Sequence, residues 1–295
     1  MPGKAEERQT VAVVGTGKVG TAMAHLLSGR GYDVVAVADL SGEARERAAS
    51  LSGAVAHASD EEAAAAAQVI IITTPDGAIA DTCAAIARAV PLEGKKVIHM
   101  SGALSLEALA PARARGADVL SIHPMQTFAD LSGAEKSLPG STFGVTCDPA
   151  MADWAQTLVE ALDGRMLVVP DEDKVLYHAA AAIACNLLTM VEYGAFVISR
   201  KLSFSDDSSA GALTPLAAAT VENVSRLGPA EALTGPLARG DEETLRAHIK
   251  ALEALDPELA SMYRAVSRWG LKLVEERGEL AAEKIERMRR LLSED

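Results

Sequence analysis

The sequence predicts an α/β protein, with a doubly wound, parallel-sheet domain over residues 1–169 followed by an all-helical domain over 170–295. Three observations carry this. Apolar runs of strand length alternate with helical stretches through the first half of the chain. Three glycines, Gly15, Gly17 and Gly20, stand between the first apolar run and a helical stretch. After Pro170 the strand-like runs stop and long helical periods begin.

The first element is Val11–Val14, a continuous run of valine and alanine that suits a strand buried on both faces. Thr21–Leu27 continues as a helix. Between them "GTGKVG", residues Gly15, Thr16, Gly17, Lys18, Val19 and Gly20, has the form of a dinucleotide-binding turn. The first glycine permits the tight turn, the second lets backbone approach a pyrophosphate, and the third lets helix and strand pack closely. The helix N-terminus then faces the negative charge.

A second strand, "DVVAVAD", ends in Asp39, 24 positions after Gly15. That is close to the spacing at which a carboxylate accepts from the adenosine ribose. Asp39 favours NAD, because a carboxylate there repels the 2′-phosphate of NADP; Ser41 and Arg45 just beyond leave NADP open.

Further strands are predicted at Ala54–His57, Val69–Thr73, Lys96–Met100, Val119–His123, Thr142–Thr146 and Arg165–Val168, with helices such as Ala78–Val90 and Ala150–Leu162 between them. In "TTPDGAI", Thr74 and Pro75 fall at the carboxyl end of a strand, where open α/β sheets bind ligands, and are expected on the nicotinamide-ribose side. The second half reads as helices over Asp171 to about Lys201, Ser208–Leu227, Asp241–Leu255, Pro257–Arg277 and Leu280–Leu292, punctuated by Gly228-Pro229 and Asp256-Pro257.

Composition narrows the partners. A net charge of −13 repels phosphate backbones and anionic lipid, so neither nucleic acid nor membrane is an expected partner. No stretch reads as a run of about 20 consecutive apolar residues, and the N-terminus lacks a signal-peptide core, so a cytoplasmic protein is expected. Cys83, Cys147 and Cys185 are scattered in apolar surroundings and read as core residues.

Chemistry is concentrated in four stretches. "VIHMSGALS" ends a strand in His99, Met100, Ser101 and Gly102, offering a hydroxyl and open backbone N–H groups to a carboxylate. "SIHPMQTF" ends another strand at His123. In "DEDKVLYHAAAAIACNLL", a helix expected to be capped by Asp171, Lys174 and His178 are four apart and share a face, about 6 Å apart along the axis. Asn186 lies about 18 Å from Lys174 on that helix and would serve another part of a pocket, or only cap a buried neighbour. "ALTGPLARGDEET" offers Arg239 as an anion fork, with Asp241 capping the next helix. His99, His123 and His178 lack the short-spaced ligand pair of a zinc centre, so no metal is expected.

On "HMSGALS", "HPMQTF", "KVLYHAAAAIACN" and "LTGPLARGD" the chain resembles, over most of its length, the family of paired Rossmann-like and DUF2520 domains. That family is similar in layout to β-hydroxyacid dehydrogenases, ketopantoate reductases and pyrroline-5-carboxylate reductases. The resemblance implies a helical second domain that helps form a homodimer. It implies substrate binding by Ser101, and a place for Lys174 beside the reacting oxygen. Where the hydroxyacid dehydrogenases carry an asparagine four residues after that lysine, this chain has His178, which leaves open whether Lys174 or His178 supplies the proton.

The expected function is nicotinamide-dependent reduction of a small 2-oxo acid, ketopantoate first among them. Ser101, Gly102 and Arg239 would hold the anionic substrate, and Met125, Phe128 and Leu237 would wall it. Two alternatives stand beside it: reduction of a cyclic imine, and a non-catalytic sensor that binds a dinucleotide and reports redox state.

Overall fold

The computed structural model describes residues 8–293. Eight strands, β1 (Thr10–Val14), β2 (Asp33–Ala38), β3 (Val55–His57), β4 (Val69–Ile72), β5 (Lys96–His99), β6 (Asp118–Pro124), β7 (Thr142–Cys147) and β8 (Arg165–Val168), form one sheet in the order β3-β2-β1-β4-β5-β6-β7-β8. The order turns back between β1 and β4, so the crevice at their carboxyl ends is the topological switch point. Both the glycine-rich turn after β1 and the Thr73–Pro75 loop after β4 open there.

Strand periodicity accounts for the layers. Val11, Val13, Val69 and Ile71 enter one buried cluster, while Val14, Ile70 and Ile72 enter another on the opposite face. Burying each such side chain stabilises the fold by about 1.5–3 kcal/mol, so helices must cover both faces.

The sheet is not wholly parallel. β7 runs antiparallel to β6, and β8 then runs parallel to β7. An alternation of strand and helix says that a crossover is possible, but an antiparallel neighbour needs none, and strand pattern carries no direction.

The chain divides into two compact units, one up to Leu187 and the other from Leu188 onward. The division falls inside the helical segment and not at Pro170, where the secondary structure changes, because Lys174 and Tyr177 bond to residues of the sheet domain. That segment comprises a 3₁₀ turn (Asp171–Asp173), an α-helix (Lys174–Ala182), a π-turn (Ile183–Leu187) and a second α-helix (Leu188–Lys201). Asp171 does not cap it. Its Oδ1 accepts from the backbone N–H of Leu106 at 2.8 Å, and the N-cap position of the α-helix falls at Asp173, with no side-chain cap.

The same segment bears on the membrane expectation. Asp171–Lys201 is long and apolar enough, by length and composition, to cross a bilayer. Its isolated polar residues interrupt every consecutive run, which hid it from a count of unbroken apolar stretches. It nonetheless begins with a buried lysine lodged against the sheet.

The second unit is helical in its described residues, with Leu188–Lys201 followed by the longer helices Asp206–Leu227 and Pro257–Arg277 and by Glu242–Leu255 and Ala282–Leu291. Capping residues set their starts: the side chains of Ser205, Asp241 and Asp256 accept from Ser208, Thr244 and Glu258 backbone N–H groups respectively. Its core gathers Leu237, Leu245, Ile249, Leu271, Val274 and Met288. Leu237 thus packs within the core of this unit.

Candidate functional site

The glycine-rich turn is shaped by close backbone contact. Gly15 has φ +89°, and a Cβ there would stand 2.6 Å from the Thr74 backbone nitrogen. A Cβ at Gly20 would overlap the Gly15 carbonyl oxygen and the Thr73 hydroxyl. At Gly17, by contrast, a Cβ would meet nothing within 4 Å, so its bare backbone faces open space. Helix Lys18–Ser28 starts directly after it, and the buried hydroxyls of Thr16 and Thr74 have no hydrogen-bond partner. An open glycine at a helix N-terminus flanked by orphaned hydroxyls fits a dinucleotide pyrophosphate.

Asp39 stands at the end of β2. Its Oδ2 accepts from Thr16 N at 2.6 Å and its Oδ1 from Ser41 N at 2.8 Å, which aims the carboxylate across the turn where an adenosine ribose would lie. Arg45 Nη1 donates to the Asp39 carbonyl at 3.2 Å. Lys18, at the helix start, donates to the carbonyls of Phe128 and Ala129 at 3.3 and 2.6 Å, tying the loop after β6 to the phosphate-binding turn. Val19 packs against the sheet core. Pro75 precedes the helix Asp76–Ala89.

Beside this cradle lies a polar cluster at the carboxyl ends of β5 and β6. Lys174 is 1% exposed; its Nζ donates to the Ser101 carbonyl at 3.2 Å and to Ser121 Oγ at 2.6 Å. Ser101 Oγ donates to Asp76 Oδ2 at 2.7 Å and accepts from Ala103 N and Leu104 N at 3.2 and 3.1 Å. Its proton and both lone pairs are therefore engaged, and it reaches a substrate only by releasing one of these partners.

His99 is buried. Its Nδ1 accepts from Ser101 N at 3.2 Å, so the proton sits on Nε2, which has no hydrogen-bond partner. His123 Nδ1 lies 2.9 Å from the Tyr177 hydroxyl. The rings of His123 and His178 meet edge to face, centroids 5.9 Å apart, and both close on Gly102. A Cβ at Gly102 would stand 2.6 Å from His178 Cδ2 and 2.9 Å from His123 Nε2.

Burial sets the charge states. Burial pushes the Lys174 ammonium down to about 8, against the pull of Asp171 and Asp76. It pushes His99 down to about 4, helped by Lys174, and His123 down to about 4, helped by His178 and then Lys174. Both imidazoles are neutral at pH 7. Beside His178, the cluster thus holds one titratable ammonium, two neutral rings and two facing carboxylates.

Of the residues expected from sequence, the fold gathers Lys174, His178, Ser101, Gly102, His123 and His99 at one end of the sheet, with Thr74 and Pro75 one turn away. Asn186 is exposed in the π-turn. Arg239 is an exposed residue of the second unit at the end of helix Gly235–Arg239, where its carbonyl accepts from Lys284 Nζ at 3.3 Å. Three residues of the cluster were missed: Asp76, Ser121 and Tyr177. Each had a signal. Ser121 is two before His123, hence on the same strand face; Tyr177 is one helical turn after Lys174; Asp76 directly follows Pro75. Cys83 is buried while Cys147 and Cys185 are half-buried. Among the described residues no group of three His, Cys, Asp or Glu could hold a metal ion.

Two family models match the chain: a Rossmann-like domain over residues 3–124 and a domain of unknown function, DUF2520, over 141–269. No curated protein matches. Among solved structures, the fold is similar to BF3122 of Bacteroides fragilis, an inferred NADP oxidoreductase (22% identity, 88% of this chain and 97% of that one, TM-score 0.74). It is also similar to an imine reductase of Myxococcus stipitatus in complex with NADP+ (19%, 96% and 92%, TM-score 0.62). A third is a reductive aminase of Aspergillus terreus in complex with NADPH and ethyl levulinate (18%, 97% and 93%, TM-score 0.63).

Proposed function

From a chain that pairs a Rossmann-like domain with a DUF2520 domain, we propose an NAD(P)-dependent oxidoreductase that reduces the carbonyl of a small 2-oxo acid, with ketopantoate the first candidate. The observation that carries the reading is Lys174, a buried amine held at the strand ends beside the dinucleotide cradle. The bound nicotinamide would supply hydride to the substrate carbon.

The residues of the chain do the rest. Gly17 and the helix start at Lys18 hold the pyrophosphate, Asp39 takes the adenosine ribose and favours NAD over NADP, and Thr74 and Pro75 border the nicotinamide ribose. Lys174, with two of its three N–H bonds fixed by Ser101 and Ser121, keeps the third for the developing alkoxide. His178, on the same helix face, is the second donor candidate. Met125 and Phe128 would form an apolar wall and Gly102 would take the substrate carboxylate; Asn186 would serve a more distant part of the substrate, and Arg239 is an anion-binding candidate on the second unit.

A second reading, reduction of a C=N bond, is favoured by the two carboxylates. Asp76 and Asp171 both act on Lys174, so the cluster has little net positive charge for an anion and suits a neutral or cationic imine. The similarity to the M. stipitatus imine reductase and the A. terreus reductive aminase points the same way.

Leu176, Ile183, Leu188, Met190 and Tyr193 stand exposed along one helical segment, which supports a homodimer formed through the helical region. The test is oxidation of NADH and NADPH with ketopantoate, pyruvate, 2-oxoisovalerate and pyrroline-5-carboxylate at matched concentrations. Turnover of the cyclic imine alone selects the second reading, and dinucleotide binding without any turnover selects a sensor.

A further inference from the structure

We propose that Tyr177 is a positioning residue: its hydroxyl fixes His123 as the Nε2–H tautomer, so that a neutral N–H donor stands over Gly102 for the reacting atom of the substrate. This rests on the oxidoreductase reading for its consequence, and on hydrogen-bond geometry for its substance.

The seat of Tyr177 follows from strand register. β6 and β7 are antiparallel, with His123 directly opposite Gly144. Residues directly opposite in such a pair project to the same face, so a side chain at 144 would occupy the space beside the imidazole. Glycine leaves that space to the phenol: a Cβ at Gly144 would stand 2.5 Å from Tyr177 Cζ. The phenol then lies against the strand, edge to face with His123 at 5.6 Å and 88°.

The proton between them can be placed by counting. The Tyr177 hydroxyl lies 2.9 Å from His123 Nδ1, while the backbone of Gly144 pairs with His123 across the β6–β7 ladder. If Nδ1 carried the hydrogen, it would donate to the phenol, and the phenol's own O–H would have no acceptor among the described residues. If the phenol donates to Nδ1, every group is satisfied. Burial raises the Tyr177 pKa, which keeps that proton on the phenol. Nδ1 is then the acceptor and the hydrogen of the ring resides on Nε2.

Nε2 lies at the other side of the ring, over the turn where Lys174 holds the Ser101 carbonyl. The groups that face His123 are His178, Lys174, Asp76 and His99. A neutral imidazole N–H in such a place polarises a C=O or C=N bond without itself titrating near pH 7, leaving proton delivery to Lys174.

The experiment is a two-bond ¹⁵N–¹H correlation spectrum of protein labelled with ¹⁵N-histidine, with the His123 signals assigned through His123→Gln. Wild type should show Nδ1 unprotonated and Nε2 protonated. Tyr177→Phe, which removes only the hydroxyl, should shift the ring to a mixture of tautomers, and Gly144→Ala, which displaces the phenol without deleting it, should do the same. In turnover, Tyr177→Phe should lower kcat about tenfold with the KM for dinucleotide within about twofold, as expected when one oriented donor is lost. A wild-type ring protonated at Nδ1, or a tautomer unchanged in Tyr177→Phe, overturns the proposal. Because the spectra need no substrate, they decide it even where no 2-oxo acid or imine is turned over.

Discussion

In the helix Lys174–Ala182 the one buried residue is a lysine, whereas along Leu188–Lys201 the buried residues are a glycine and a serine, and Leu188, Met190, Val191 and Tyr193 stand exposed. Both stretches invert the ordinary rule that apolar groups go inside and charges stay in water. The inversions differ in kind. At Lys174 the cost of desolvating an ammonium is offset by a carbonyl, a hydroxyl and two facing carboxylates, an arrangement that suits chemistry better than stability. Along Leu188–Lys201 nothing among the described residues offsets the exposed apolar area, an arrangement that suits association.

The largest effect should come from emptying the first inversion. Lys174→Met should lower kcat by roughly 10²–10⁴-fold with little change in dinucleotide affinity, measured by steady-state turnover and calorimetric titration. Unchanged turnover would mean that Lys174 is only a buried strut and that His178 carries the proton.

The second inversion is broken by charge. Leu188→Glu with Met190→Glu should weaken self-association at least about tenfold by light scattering, while the sheet unit, which neither residue belongs to, keeps its circular dichroism. A wild-type protein that is monomeric at tens of micromolar would remove association as the reason for the exposed face.

A substitution outside both stretches calibrates them. Asp39→Ser should narrow or reverse a preference for NADH over NADPH by about tenfold, read by titration of both cofactors, because the carboxylate that accepts from Thr16 and Ser41 would no longer repel a 2′-phosphate. A wild type that already prefers NADPH tenfold contradicts the role given to Asp39.

The smallest effect is a slope. Lys174 has a folded-state pKa of about 8, below its unfolded value of about 10.5, so between these values the unfolded chain holds the extra proton. Stability from this group therefore rises with pH across that window, by at most ~1.4 kcal/mol per pH unit, and is lost as pH falls back through it. Urea titrations of Lys174→Met should lack this component. His99 and His123, lowered to about 4, act in the same sense between about 6.5 and 4, where acid should destabilise the sheet unit.

Elements were legible in the sequence where one local rule decided them. Arg165–Val168 and Pro257–Arg277 fall where the apolar pattern and the Gly and Pro punctuation place them. The reversal at β7 was not legible, since a strand reads the same in either direction. Lys174 could be singled out as a polar residue at the start of an apolar helix, but its partners Ser121 and Ser101 lie 53 and 73 residues away in sequence, and no local period links them. Asp171 misled for the same reason: a residue with the form of a helix cap spends its carboxylate on Leu106, 65 residues away.

Gly20 has a bearing on the speed and entropy of ligand capture. A side chain there would collide with the backbone of Gly15 as well as with Thr73, so the turn from Gly15 to Gly20 is wedged in one shape by its own packing. The amides that would meet a pyrophosphate are therefore arranged before any ligand arrives, and association surrenders little loop freedom. The backbone conformation along Gly15–Gly20 should accordingly change little when a dinucleotide binds, its amides gaining exchange protection only by direct contact with the ligand, while added ordering should fall on the loop of Phe128 and Ala129 that Lys18 holds.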